Sequence, residues 1–281
     1  MSIKQRLDNI HDLPSMPHTL NSVLGGLDSL SSSAQTMEKI IRDDPVLTAK
    51  MLRIANSPYY GLKQEVSSIA SAVVILGFEE VRSIAIGLSL SGIFSHDLGF
   101  DEFDTKSIWL HSVGVAKVSK MLAEDISGLE ADELFTAGMI HDLGRFLLCL
   151  YFPSELKEIL ELRQQKELSL SDAEEQYGLT HSEVGAYLAK RWNLSEMLID
   201  VVRYHHCPNS AGTNTLAASV VFLADEICQK MRFGWHLEGE PNKVIVPKSL
   251  GHNLDTVKKA ALYLKDEKES IEASWGAIFS T

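Results

Sequence analysis

The chain has 281 residues, of which 45% are hydrophobic and 23% charged, and a formal net charge of −12. That length fits one large domain or two modest ones with a sizeable core. The acidic balance excludes non-specific wrapping of nucleic acid, which relies on clustered Lys and Arg, and argues against an anionic membrane surface; a local basic patch stays open.

In chain order, the N-terminal MSIKQRLDNIHDLP lacks the apolar core of a signal peptide. Residues 19–30 carry a helical period. Asp44 before Pro45 marks a helix start, and Asn56-Ser57-Pro58 stops that helix ahead of Tyr59-Tyr60-Gly61. Ser68 to Leu76 predicts a helix ending at Gly77, and Glu79 to Phe94 a very apolar one. The apolar stretches at 69–78 and 84–94 are too short to span a bilayer, so no membrane association is expected. A polar, acidic link at 95–102 divides an N-terminal helical part, 1–100, from a second part, 101–281.

The second part predicts helices near 106–124, 131–150, 153–166, 171–177, 180–192, 194–206 and 214–232. A loop follows over 233–250, where Val244-Ile245-Val246 is the one plausible strand, and a last helix covers about 254–278. No repeat is visible, and Ser29–Ser33 is the single low-complexity tract. The expected fold class is all-α. Cys149, Cys207 and Cys228 are widely spaced, with no CxxC pair, which reads as reduced thiols in a cytoplasmic protein.

Chemistry-bearing residues stand on apolar helix faces. His111 lies in line with Val115, Val118 and Leu122, a core-facing stripe on which a lone histidine is more often a hydrogen-bonded core residue than a ligand. His141-Asp142 interrupts an apolar run from Leu134 to Leu148. A buried carboxylate costs several kcal/mol unless it is paired or coordinates a cation. The alternative there is an Asp142–Arg145 pair at i, i+3. Gly138 and Gly144 allow close backbone approach. Thr180 and Glu183 frame a capping box that sets His181 in a first helical turn. His205 and His206 close a helix, where cationic histidine also suits the helix dipole. Asp225 replaces an apolar residue on the stripe Ala218, Val221, Cys228. Together His111, His141, Asp142, His181, His205, His206 and Asp225 are seven ligand candidates, and five of the ten histidines belong to the set. This mix suits one or two ions of Fe, Mn, Zn or Ni better than Ca.

The ordered stretches LHSVGVA, GMIHDLGR, THSEVGAYLAKRW, VVRYHH and VFLADEI resemble the HD superfamily of metal-dependent phosphohydrolases. LPSMPHTL, IIRDDPVLTAKMLRIANSPYYGL, SSIASAVVILGFEEVRSIAI and GIF resemble a narrower group, the HDOD domain, or HD-related output domain, over roughly 10–232. The resemblance implies an all-α fold with an N-terminal helical subdomain on an HD-type metal-binding core. It implies a bacterial, cytoplasmic signal-transduction protein with a protein partner, regulatory in role. The alternative is an active metal-dependent phosphohydrolase acting on a nucleotide or cyclic dinucleotide. There Asp142 would bridge metals and orient water, and Arg145 would help hold a phosphate ligand. This chain departs from HD-GYP enzymes at three places. Arg145 stands where a lysine is common, Ser107 where an extra glutamate is expected, and EICQKMRFGWHLEG follows Asp225 in place of the GYP segment. The Asn56–Tyr60 loop reads equally as a partner surface or as a helix stop with packed aromatics.

Overall fold

Helical periodicity along the chain predicts an all-α protein, and the computed structural model bears this out. It describes residues 3–8, 10, 13–25, 34–95, 98–235, 244–251 and 254–279, and holds no strand among them. The helices are α1 Ile3–Asp8, α2 His18–Gly25, α3 Ala34–Arg42, α4 Pro45–Ala55, α5 Ile69–Leu76, α6 Phe78–Leu90, α7 Thr105–Ala123 and α8 Ala131–Ile140. They continue with α9 Leu143–Tyr151, α10 Pro153–Lys166, α11 Leu170–Tyr177, α12 His181–Arg191, α13 Glu196–Tyr204, α14 Thr215–Lys230 and α15 Leu254–Gly276. Two units are distinguished: residues 15–96 with 266–281, and residues 1–14 with 97–265.

In the unit built on 15–96, local chemistry sets the helix ends. The Asp44 carboxylate accepts from the Val46 and Leu47 N–H groups at 3.0 Å each, with Pro45 in the first turn of α4. Beyond α4, Asn56 clamps the loop: Oδ1 accepts from Val66 N–H at 2.7 Å, and Nδ2 donates to Val66 O at 2.9 Å. Within that loop Pro58–Tyr60 forms a 3-10 turn, and the Tyr60 hydroxyl donates to Glu80 Oε1 at 2.5 Å. Both tyrosines are half-buried. Ser68 and Ser71 cap α5 reciprocally. The helix expected over Glu79–Phe94 stops at Leu90 and gives way to a 3-10 turn at Ile93–Ser95. Helix α3 has no counterpart in the sequence reading, although Met37 and Ile41, four apart and both buried, carry its signal.

In the unit built on 97–265, α7 packs against α8 and α14, α9 packs against α12, and α12 against α13. Two glycines make the closest of these contacts possible. A Cβ on Gly138 would lie 2.6 Å from Ala116 Cα, and one on Gly144 would lie 1.8 Å from His181 O. Backbone therefore meets backbone where α8 crosses α7 and where α9 crosses α12.

The continuous helix expected over 131–150 is broken. α8 ends at Ile140, α9 begins at Leu143, and Asp142 takes φ −98° and ψ 11° between them. The expected strand at Val244–Val246 is irregular. Residues 26–33 and 236–243, which hold the end of the first expected helix, the serine tract and much of the 233–250 loop, lie outside the described residues.

Gly144→Ala is expected to destabilise the protein by more than about 3 kcal/mol, because the new methyl meets a carbonyl that belongs to a packed backbone. A urea titration followed by circular dichroism measures it; a loss within about 1 kcal/mol would contradict this account of the α9–α12 contact.

Candidate metal centre

The break between α8 and α9 shapes the site. The last carbonyls of a helix lack partners along the chain. At the end of α8, Gly138 O accepts from His141 Nδ1–H at 2.7 Å. At the end of α13, Val202 O accepts from His205 Nδ1–H at 2.9 Å. Both carbonyls can only accept, so both rings carry a proton on Nδ1 and turn Nε2 inward. The helix-terminal position of His205 and its inward orientation are one geometry, not competing explanations.

His181 opens α12, where Thr180 Oγ1 accepts from Glu183 N–H at 3.2 Å. Its backbone N–H donates to Glu174 Oε2 at 2.8 Å, and its Nδ1–H donates to the same oxygen. His111 sits on α7 at a point the chain crosses after α14. Gly234 has φ +72°, a Cβ there would lie 2.3 Å from His111 N, and Trp235 N–H donates to Ser107 O at 2.9 Å. That crossing brings Phe233 O to 3.3 Å from His111 Nδ1.

All seven residues named from the sequence fall in this one unit, and they converge. Ligand atoms of Asp142, His181, His205 and His206 lie within 4.8 Å of one another, as do those of His111, His141 and Asp142. Asp142 is common to both groups. Asp225 joins through His111, its Oδ1 standing 2.9 Å from Nε2. His111, His141 and His205 are fully buried, whereas His206 is half-buried and its Nε2 also meets Ser171 Oγ at 3.1 Å.

The inner atoms are spaced for a cation. His181 Nε2 stands 3.2 Å from His205 Nε2, 3.1 Å from His206 Nε2 and 3.3 Å from Asp142 Oδ1. Two ligands bound to one ion at about 2.1 Å stand roughly 3.0–3.4 Å apart for octahedral to tetrahedral angles. Lone pairs of neutral rings repel at such distances unless a proton or a metal lies between them. Among the described residues buried His141 Nε2 has no hydrogen-bond partner, Asp142 Oδ2 standing 3.5 Å away. An unpaired buried polar atom costs about 1–3 kcal/mol, which a metal bond would remove.

The charges around these atoms are strongly shifted. Burial, with the surrounding imidazoles, holds His205 well below its ordinary value, and burial also lowers His141. Burial opposes charge on Asp142 too, yet Arg145 and the histidines outweigh it and hold the carboxyl well below its ordinary value. Burial works the same way on Asp225, where the hydrogen bond and charge of His111 prevail and hold it at about 2. For His111 the desolvation is likewise outweighed by Asp225, and its value is raised.

Arg145 is 1% exposed, so its pair with Asp142 is a buried one. Its Nε stands 2.9 Å from Asp142 Oδ1, its Nη1 donates to Glu174 Oε1 at 3.2 Å, and its guanidinium lies 4.6 Å from the Trp235 ring centre. Ser107 is drawn to the start of α7, its N–H donating to Asp104 Oδ2 at 2.8 Å. Glu174 is the buried residue the sequence reading passes over. Its signal is the same as that of Asp225: an acid on an apolar stripe, beside the buried Leu170 and Ala173 of α11. A cavity of about 1020 Å³ opens against His181 and His206, with Lys190, Arg191 and Arg203 also in its wall.

Comparison with known proteins agrees with this architecture. The HDOD domain family model matches residues 13–208. A solved HDOD domain protein of unknown function from Geobacter sulfurreducens is 26% identical, with a TM-score of 0.78 over 99% of this chain and 98% of that one. A protein from Marinobacter aquaeolei VT8, provisionally named as a signal transduction protein, shares the fold at a TM-score of 0.80 and 23% identity, over all of this chain and 62% of its own. An uncharacterised protein from Treponema pallidum is 24% identical over 253 residues, 86% of this chain and 46% of that protein. The chain spans less than half the length of the curated relatives it matches.

The Asp225 carboxyl sits at about 2 in the folded chain against about 3.9 when unfolded. Its stabilising contribution is therefore present above about pH 4 and is lost as pH falls toward 2. In metal-free protein, urea midpoints between pH 5 and pH 3 are expected to fall more steeply for the wild type than for Asp225→Asn. Equal slopes would show that the His111–Asp225 contact carries no such linkage.

Proposed function

The chain belongs to the HDOD domain family, and on that premise we propose that it is a bacterial signal-transduction regulator whose buried His/Asp cluster holds one or two transition-metal ions, of Fe, Mn, Zn or Ni, in a structural or sensing role. The observation that carries the metal assignment is the spacing of His181, His205, His206 and Asp142, whose inner atoms stand as ligands of one ion do. His111 and His141 share Asp142 with that group and supply a second position, with Asp225 beside it. The rings of His111, His141, His181 and His205 are each fixed by a partner on Nδ1, an arrangement that orients a ligand and raises its basicity. Nitrogen and carboxylate donors of this kind suit first-row transition metals. The sealed ligands favour holding over turnover: of the five histidines, His206 alone is more than slightly exposed. A regulator of this kind works through a protein partner, and the half-buried Tyr59–Tyr60 turn is our candidate contact in the other unit.

The cavity favours a second reading, a metal-dependent phosphohydrolase acting on a nucleotide or cyclic dinucleotide. It reaches His181 and His206, and Lys190, Arg191 and Arg203 stand in its wall as donors to phosphate, alongside the acids Glu174, Glu175 and Glu183. A bound metal would supply Lewis acidity there. In that reading Asp142 orients the attacking water, and Arg145 acts by holding Asp142 in place, since both of its ends are taken up by carboxylates.

Elemental analysis of the purified protein, joined to anomalous diffraction, is expected to find Fe, Mn, Zn or Ni at the named ligands and to find it lost in Asp142→Ala. Protein that takes up no metal after supplementation would overturn the site. Metal-loaded protein that hydrolyses a nucleotide or cyclic dinucleotide, with turnover abolished in a folded His141→Ala variant, would favour the second reading over the first.

A further inference from the structure

Glu174 is fully buried on α11, outside the seven ligand candidates, and a carboxylate in that position must be answered on both oxygens. It is. Oε2 accepts twice from His181, from the backbone N–H at 2.8 Å and from the ring Nδ1–H. Oε1 accepts from Arg145 Nη1 at 3.2 Å, and the same guanidinium meets Asp142 Oδ1 through Nε at 2.9 Å. Two of the inner groups, His181 and Asp142, are therefore held from behind by one carboxylate, directly in one case and through Arg145 in the other. The guanidinium is planar and rigid, so fixing one edge fixes the other.

We propose that Glu174 is a positioning residue of the metal centre: it locks the ring proton of His181 on Nδ1, leaving Nε2 bare toward the centre, and it sets Asp142 through Arg145. The inference rests on the metal reading above for its consequence, though the Glu174–His181 pair can be tested without metal. All three hydrogen bonds require an acceptor on both carboxyl oxygens. A glutamine keeps only one. If its oxygen faces His181, its NH2 points at the Arg145 guanidinium and the link to Asp142 is lost. If it flips, the NH2 faces His181, the ring proton moves to Nε2, and the lone pair that would bind metal is gone.

Nitrogen-15 imidazole NMR on the metal-free full chain reads the ring directly. In the wild type, His181 is expected to carry a proton on Nδ1 that exchanges slowly with water; a bare Nδ1 overturns the proposal without any variant. In Glu174→Gln with native helicity, Mn2+ and Zn2+ affinities measured by competition titration are expected to fall roughly 10–100-fold. A His181 tautomer change or a changed Co2+ absorption spectrum is expected alongside. Affinities within about twofold of wild type, with the His181 signals unmoved, would overturn it. If wild-type protein binds none of these metals, the metal reading fails, and the His181 signals alone then decide whether the Glu174 pair stands.

Discussion

The Asp142 carboxylate is the constraint around which this unit is arranged. It is 2% exposed, and taking such a charge out of water costs several kcal/mol even after relaxation. Its Oδ1 meets Arg145 at 2.9 Å and His181 at 3.3 Å, with His205 at 3.7 Å, while Oδ2 faces His141 at 3.5 Å. One guanidinium offsets one negative charge, but Glu174 draws on the same guanidinium. Burial disfavours charge on His141 and His205, and both rings turn Nε2 toward the same place, an arrangement that suits a cation beside Asp142. A hydrophobic residue at 142 would pack more cheaply, and nothing about the helices alone requires an acid there.

Helix supply and helix breakage work together in meeting that constraint. Had residues 131–150 formed one continuous helix, His141 and Asp142 would diverge by about 100° around its axis. The break lets both side chains reach the same place. It also frees the Gly138 carbonyl that orients His141. Gly144 then brings α9 so near α12 that the His181 backbone lies against it. The chemistry and the packing of this region depend on the same few residues.

Most of this was legible in the sequence because burial leaves a periodic trace. The stripe through His111, the acid at Asp225 and the glycines at 138 and 144 all follow from which face of a helix is inside, and the structure brings these residues together. The helix break was not legible, since apart from His141-Asp142 and Arg145 the run from Leu134 to Leu148 is largely apolar, and periodicity carries little phase information in such a run. Short α3 was passed over because its two buried positions sit among polar residues. Glu174 was missed for a different reason. It follows Ala173 and precedes Glu175, and among neighbouring acids a buried one looks like a solvated one until its helix face is counted. The Asp142–Arg145 pair is legible from its i, i+3 spacing, but its worth depends on exclusion of water, which spacing does not report.

The ligand candidates are also spread along the chain, from His111 to Asp225, and each helix from α7 to α9 and from α12 to α14 contributes or adjoins at least one. During synthesis from the N-terminus, the first helix to carry a candidate waits for the last, which emerges more than a hundred residues later. Until then His111 lacks both Asp225 and the carbonyl of Phe233, whereas Asp142, Glu174 and His181 already have their partners within the emerged chain. The full set of seven is therefore complete only when α14 docks on α7, and a metal held between His111 and His141 would report that contact, whereas one held by His181, His205 and His206 would not.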